Sequence, residues 1–306
     1  MQLSLFEDNR SGILLNIAHE FILARNLDQA VSVYEQLLAD YPEDRHNHAQ
    51  MKLVSEWRDI LSGIDAHAGN SRYLEDIWMR LVSLSHPALR SAVLGILGDA
   101  LHALPEPAQI YAPPRFHLGQ ILMEAGRYEE AADCFQAALS GNNIPTGRFL
   151  AWRGDALTLA DKDDAALKSY MNAFLDDPLT VEIHSVKNRK ITNLHDSLCF
   201  EDTDEIEEDQ EPAWLPVWGW LQGLFPLPLQ PFPEMNPAAA AEFEARLEKN
   251  DVRVPRLWFD MLTHAERLRI THRDDRELAA VRRLMKRSNG FVFNCYLNKI
   301  RGKGTL

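Results

Sequence analysis

Cysteine is scarce in this chain: Cys134, Cys199 and Cys295 are its three thiols in 306 residues. So few, so far apart, exclude a disulfide scaffold and offer no zinc-finger spacing. Unpaired thiols suit a reducing compartment. Positive charge is also in deficit. Lys and Arg total 32 against 45 Asp and Glu, for a net charge of −13. That balance argues against a dedicated nucleic-acid binder unless the cations are gathered in one place. No phosphate-binding glycine loop is present, and no cofactor is expected. The N-terminus lacks the basic start and long apolar run of a signal peptide, so a cytoplasmic protein is expected. The stretch 212–233 is uncharged over 22 residues but carries six prolines. A spanning helix must satisfy its own backbone, and prolines this dense prevent it. Eight of the eleven residues 201–211 are acidic, a run repelled by anionic lipid. No membrane contact is expected.

What is present is ordinary globular composition, 46% hydrophobic and 25% charged. The length suits two compact domains or one elongated array. Self-similarity favours the array. Gly119 aligns with Gly154, Leu122 with Leu157, Ala131 with Ala166, Phe135 with Tyr170 and Ala138 with Ala173, at a constant offset of 35. Each unit holds two apolar stretches at helical spacing, broken by Ala125-Gly126-Arg127 or Asp161-Lys162-Asp163. Small residues let two antiparallel helices approach closely, and the aromatic fills the remaining gap.

These positions resemble the tetratricopeptide repeat (TPR). The resemblance covers units at 112–146, at 147–180 (ending near Pro178) and at 11–44, the last with Ala18, Phe21, Ala30, Tyr34 and Pro42. The unit at 11–44 departs by placing Arg25-Asn26 at its turn and Leu37 where a small residue is usual. Ala30 and Ala131 are 101 residues apart, close to three periods of ~34 residues. Residues 45–111 could therefore hold two more hairpins. Among them 88–101 reads as a buried helix, faintly similar to a HEAT-repeat helix. Residues 181–198 read as one further helix packed on the last repeat.

The second half differs in composition. After the acidic run come Trp214, Trp218 and Trp220, three of the seven tryptophans, with Leu224, Phe225, Leu227, Leu229 and Phe232. This reads as an irregular hydrophobic strap docked on helices, against the alternative of an exposed partner patch. Helices are expected over 237–249, 256–270, 274–286 and 291–300. Residues 251–306 carry 13 basic and 6 acidic side chains, net +7, against net −20 for residues 1–250. Arg276, Arg282, Arg283, Lys286 and Arg287 form the densest cationic face. Self-complementation with the acidic part is the simpler role, and contact with nucleic acid or an acidic partner the sharper one.

Catalytic motifs are not found. His46 and His48 are spaced wrongly for one helical face. His195-Asp196-Ser197 has triad residue types, but adjacency is not triad geometry. His264 with Glu266 and His272 with Asp274 read as surface or capping groups, and Cys134 and Cys295 as small core residues.

The TPR resemblance implies a concave groove, lined by the first helix of each unit, that holds extended peptides. Its positions here are Leu15, His19 and Ile22, then Phe116, Gln120 and Met123, then Ala151, Asp155 and Thr158. The Lys, Asn and Arg set with which some members clamp a C-terminal carboxylate is missing. Residues 212–233 could instead fill the groove from within. Separately, Gln2-Leu3-Ser4-Leu5-Phe6 resembles the pentapeptide by which bacterial replication and repair proteins bind the sliding clamp. Leu5 and Phe6 would enter an apolar pocket with Gln2 at its rim. Alternatively, Leu3, Leu5 and Phe6 cover the first hairpin of the array.

The expected architecture is all-α: an N-terminal tail (1–10), a TPR-like α-solenoid (11–200), an acidic and Pro/Trp-rich linker or strap (201–235) and a basic helical region (236–306). The expected function is a non-enzymatic scaffold binding a protein or peptide. The alternatives are a DNA replication or repair accessory protein recruited to the sliding clamp, and an enzyme with catalytic groups in 201–306.

Overall fold

A computed structural model describes residues 3–141, 144–199, 201, 206–227, 245, 254–271 and 275–302, with 3–9 and 275 described through their backbone. Among these residues the fold is all-α: fifteen α-helices and one two-stranded antiparallel sheet. The chain divides into two compact units, residues 1–142 and 143–306. The division lies inside the stretch 11–200 that the sequence reads as one array.

In the first unit, α1 (Leu3–Leu23) and α2 (Leu27–Asp40) form a hairpin. Helices α3 (Arg45–Ser62), α4 (Ile64–His67), α5 (Ser71–Ser83) and α6 (Pro87–His102) follow. They have 18, 4, 13 and 16 residues, so 45–111 is not two equal hairpins. The starts of α2, α3, α5 and α6 are written locally. Asn26, Asp44, Asn70 and His86 each accept a hydrogen bond from a backbone N–H of the following first turn. Helix α6 is buried along its whole length through Leu89, Val93, Leu97 and Leu101, and it packs against both α1 and α7. Strands β1 (Tyr111–Ala112) and β2 (Phe116–His117) pair antiparallel just before α7 (Leu118–Glu124) and α8 (Tyr128–Ala138).

In the second unit, α9 (Thr146–Leu159) and α10 (Asp163–Asp176) form a hairpin. The expected single helix over 181–198 is not formed. Two 3-10 turns, Pro178–Thr180 and Ile183–Ser185, precede a shorter α11 (Arg189–Cys199). The expected strap is not irregular either: residues 211–221 form α12 (Glu211–Leu221). Pro212 stands in its first turn, where a missing N–H costs nothing. Pro216 forfeits one bond, to the Pro212 carbonyl. Burial outweighs that loss: Trp214, Leu215, Val217, Trp218 and Leu221 are all buried, and α12 packs on α10, α11 and two C-terminal helices. The C-terminal helices are α13 (Val254–Thr271), α14 (Asp275–Ser288) and α15 (Gly290–Ile300), close to their expected positions, and α12 packs on α13 and α15. The expected helix 237–249 lies outside the described residues apart from Ala245.

Three hairpins share one turn. Arg25, Gly126 and Asp161 adopt left-handed backbone with φ of 62°, 76° and 57°. The next residue's N–H reaches back five positions in each: Asn26 to Phe21 at 2.9 Å, Arg127 to Leu122 at 2.9 Å and Lys162 to Leu157 at 2.9 Å. This is a Schellman ending, which satisfies the last carbonyls of the first helix. The unit at 11–44 thus makes the same turn without a glycine. Arg25 Nη1 bonds Asp99 at 2.8 Å while its guanidinium lies over Gly95. Inside the hairpins, Ala30, Ala131 and Ala166 are each 0% exposed. A Cβ at Gly119 would come within 2.4 Å of the Phe135 ring, and one at Gly154 within 2.8 Å of Tyr170. Close helix approach thus demands the small residues that the sequence aligns.

Candidate protein-binding site

The nine groove positions fall into three different situations. On α1, Ile22 is buried, Leu15 half-buried and His19 exposed. Phe116 is not on the first helix of its repeat. It lies in β2, buried, because the short β-hairpin replaces the helix's expected first turn. The next residue, His117, explains the start of α7. Its Nδ1 accepts from Gly119 N–H at 3.0 Å and its Nε2 donates to Ala108 C=O at 2.9 Å. Burial drives the pKa of His117 down to about 4, so the ring is neutral at neutral pH. Beyond it, Gln120 and Met123 on α7 are half-buried.

On α9 the positions are taken up within the chain. Ala151 and Asp155 are buried. The Asp155 carboxylate accepts from Tyr170 Oη–H at 2.6 Å and from Lys187 N–H at 2.7 Å. Thr158 Oγ1 accepts from Asn188 Nδ2–H at 3.0 Å. Residues 181–188 fold back along α9 and cover the side that carries Asp155 and Thr158. Burial and then the Asp155 charge push the Tyr170 phenol far above its ordinary range, which fixes it as a neutral donor.

The aromatic positions lie in the second core. Trp214 meets Trp258 at 6.0 Å between centroids, and Trp218 donates its Nε1–H to Ser197 Oγ at 2.8 Å. Trp220 is half-buried against Tyr296, with Lys299 Nζ 5.1 Å above its ring. No exposed tryptophan patch is formed by these three.

On α14, Arg276, Arg283, Lys286 and Arg287 are exposed. Arg282 is half-buried, pointing its guanidinium at the Tyr296 hydroxyl at 3.2 Å. A hollow of about 370 Å³ is lined by Leu278, Ala279, Arg282, Arg283, Lys286 and Phe293. Of the clamp-like pentapeptide, Leu3 to Phe6 open α1 and Gln2 lies outside the described residues.

The remaining titratable groups are structural in their contacts. His48 bonds Pro42 C=O at 3.0 Å, and buried His264 pairs with Glu277 at 2.8 Å. His272 and Asp274 lie outside the described residues. Ser197 donates to Leu194 C=O at 2.7 Å, so His195-Asp196-Ser197 is no triad. His195 instead meets two groups that sequence reasoning passed over. Its Nε2 is 3.2 Å from Glu211 Oε2, and Cys199 Sγ is 3.2 Å from the same oxygen. The signal was there in part: His195 and Cys199 are four apart, on one helical face. The arrival of Glu211 beside them depends on how α12 packs on α11.

The family model described as tetratricopeptide repeat matches residues 113–140. No curated protein and no solved structure matches the chain. The match falls on the α7–α8 hairpin and its β2 approach. Together with the helical fold it makes the chain TPR-like, and it supports a protein–protein interaction scaffold as the general class. Among the described residues, no helix is long and apolar enough to cross a membrane.

Proposed function

We propose that this chain is a non-enzymatic cytoplasmic adaptor that binds an extended segment of a protein partner through the first-helix faces of its N-terminal unit. The tetratricopeptide match at 113–140 carries the reading. It falls on a hairpin whose α7 keeps Gln120 and Met123 only partly covered, while α1 keeps Leu15 partly covered and His19 exposed. Both helices pack against α6. A mixed apolar and polar surface suits alternating side chains of an extended peptide. The corresponding face of α9 is occupied by residues 181–188, which leaves the first unit as the receptive one.

A second reading, a replication or repair accessory protein, is supported by the Gln2–Phe6 pattern and by the exposed cations of α14. One experiment separates the two. Bacterial lysate is passed over the full chain, a Leu15→Glu/Met123→Glu variant and a variant lacking residues 1–8. A partner kept by the deletion and lost by the double variant is the expected result. Retention by the double variant overturns the surface. Capture of the sliding clamp by the full chain and not by the deletion supports the second reading instead.

A further inference from the structure

The end of α11 and the start of α12 bring together an imidazole, a thiol and a carboxylate. Cys199 Sγ lies 3.7 Å from His195 Nε2, and both atoms lie 3.2 Å from Glu211 Oε2. A point equidistant from these three atoms is about 2.0 Å from each in their plane, and a small step out of the plane gives the 2.0–2.3 Å of zinc–ligand bonds. The separations lie within about 0.4 Å of the edges of a zinc tetrahedron, about 3.3–3.6 Å for such bond lengths. Three corners of one tetrahedron are thus gathered, with His195 buried and Cys199 reachable from solvent. Cys199 Sγ is also 3.8 Å from His195 Nδ1, so the imidazole has to turn to aim its Nε2 lone pair at a cation.

The surroundings are those of a cation site. A cavity of about 650 Å³ borders the cluster. Glu201, Glu208, Asp209 and Glu211 line it with His184, and among the described residues no Lys or Arg does. Four carboxylates facing one cavity produce a negative potential that concentrates cations. The donor set selects among them. Calcium and magnesium take oxygen ligands throughout, whereas mixed nitrogen, sulfur and oxygen donors suit zinc and its neighbours.

We infer that His195, Cys199 and Glu211 bind a zinc-class divalent cation, whose fourth position faces the acidic cavity. Binding releases the Cys199 thiol proton to solvent and takes the lone pair of His195 Nε2, leaving the ring proton on Nδ1. Asp196 Oδ1, 4.0 Å from Nδ1, stands on that side of the ring. The cation would pin the α11 C-terminus to the α12 N-terminus. It also gives the acidic run 201–211 a role beyond that of a solvated connection.

The test uses the full chain stripped of metal, titrated with Zn²⁺ against a chelating indicator and with Co²⁺ by absorption. The expected result is one equivalent per chain and an intense thiolate-to-cobalt charge-transfer band. Cys199→Ser abolishes the band, and Glu211→Gln weakens binding by more than the about 10–100-fold that loss of an outer-shell partner costs. Cys134→Ser and Cys295→Ser leave both unchanged. Metal-free melting curves of Cys199→Ser and Glu211→Gln, unchanged from the parent, show that the fold survives. Absence of stoichiometric uptake, or a band that persists in Cys199→Ser, overturns the proposal. In that case the three groups form only a hydrogen-bonded cluster with Glu211 Oε2 as common acceptor.

Discussion

The α7–α8 and α9–α10 hairpins are the same device put to different uses. Both end their first helix in a Schellman turn, both bury an alanine at the start of the second helix, and both lay an aromatic ring against a glycine. What differs is the covering of the first helix. In α9–α10, a carboxylate on the groove side captures the backbone of residue 187 and the chain closes over itself. In α7–α8, the corresponding position is Gln120, which carries no such bond to a returning segment, and the helix is instead shortened by a β-hairpin anchored at His117. One buried acid separates a self-covered repeat from one whose Gln120 and Met123 stay half-buried. A repeat pattern therefore announces the hairpin without announcing the surface.

The sharpest way to break the equivalence of the two hairpins is at the aromatic. Phe135→Ala removes a fully buried ring and should cost about 3–5 kcal/mol, read from denaturant unfolding. A loss under about 1 kcal/mol would mean that α7 and α8 do not share the packing of α9 and α10.

Next in size is the pH dependence peculiar to the first hairpin. The folded His117 titrates near 4 rather than 6.5, so its neutral form stabilises the fold. That contribution is fully present above pH 6.5 and is lost as pH falls toward 4, by about 3 kcal/mol in total. His117→Gln should flatten this part of the stability profile. An unchanged acid limb in the variant would assign it to other groups.

Tyr170→Phe sharpens the second hairpin. It leaves buried Asp155 with the Lys187 N–H but without its phenol donor, at a cost of about 1–3 kcal/mol. Faster limited proteolysis over 181–188 should accompany it. Unchanged cleavage would show that Asp155 does not hold the segment down.

The smallest effect concerns the 11–44 turn. Arg25→Gly relieves left-handed backbone on a side chain and sacrifices a mostly exposed ion pair to Asp99. The balance should be a gain of about 0.5–1 kcal/mol in thermal unfolding. A net loss would show that the Arg25 contacts over Gly95, rather than the turn itself, hold α1 to α6.

Much of the fold was legible in advance. Aligned small residues at 119, 131, 138, 154, 166 and 173 marked two hairpins, and the looser set at 11–44 marked the third. Helices α6, α13, α14 and α15 lie where apolar periodicity puts them. Residues 211–221 were misread because proline density speaks only of local cost. The gain from burying two tryptophans and three aliphatic side chains on four helices is not a local quantity. The candidate site was less legible. Phe116 was assigned to a helix because periodicity does not register the two-residue β2, and Asp155 was read as a groove residue because its partner is 32 residues further along.

The sequence by itself determined the hairpins and their turns, because these depend on contacts within about 35 residues and on the size of single side chains. It also determined the charge imbalance between the two ends. Only the tertiary structure decided that residues 181–188 cover the α9 face, that Trp214 and Trp218 lie in a core, and that His195, Cys199 and Glu211 meet around one point. Those outcomes depend on the return of residues 181–188 along α9 and on the packing of α12 against α11, which neither periodicity nor spacing constrains. Burial of distant partners supplies the free energy there.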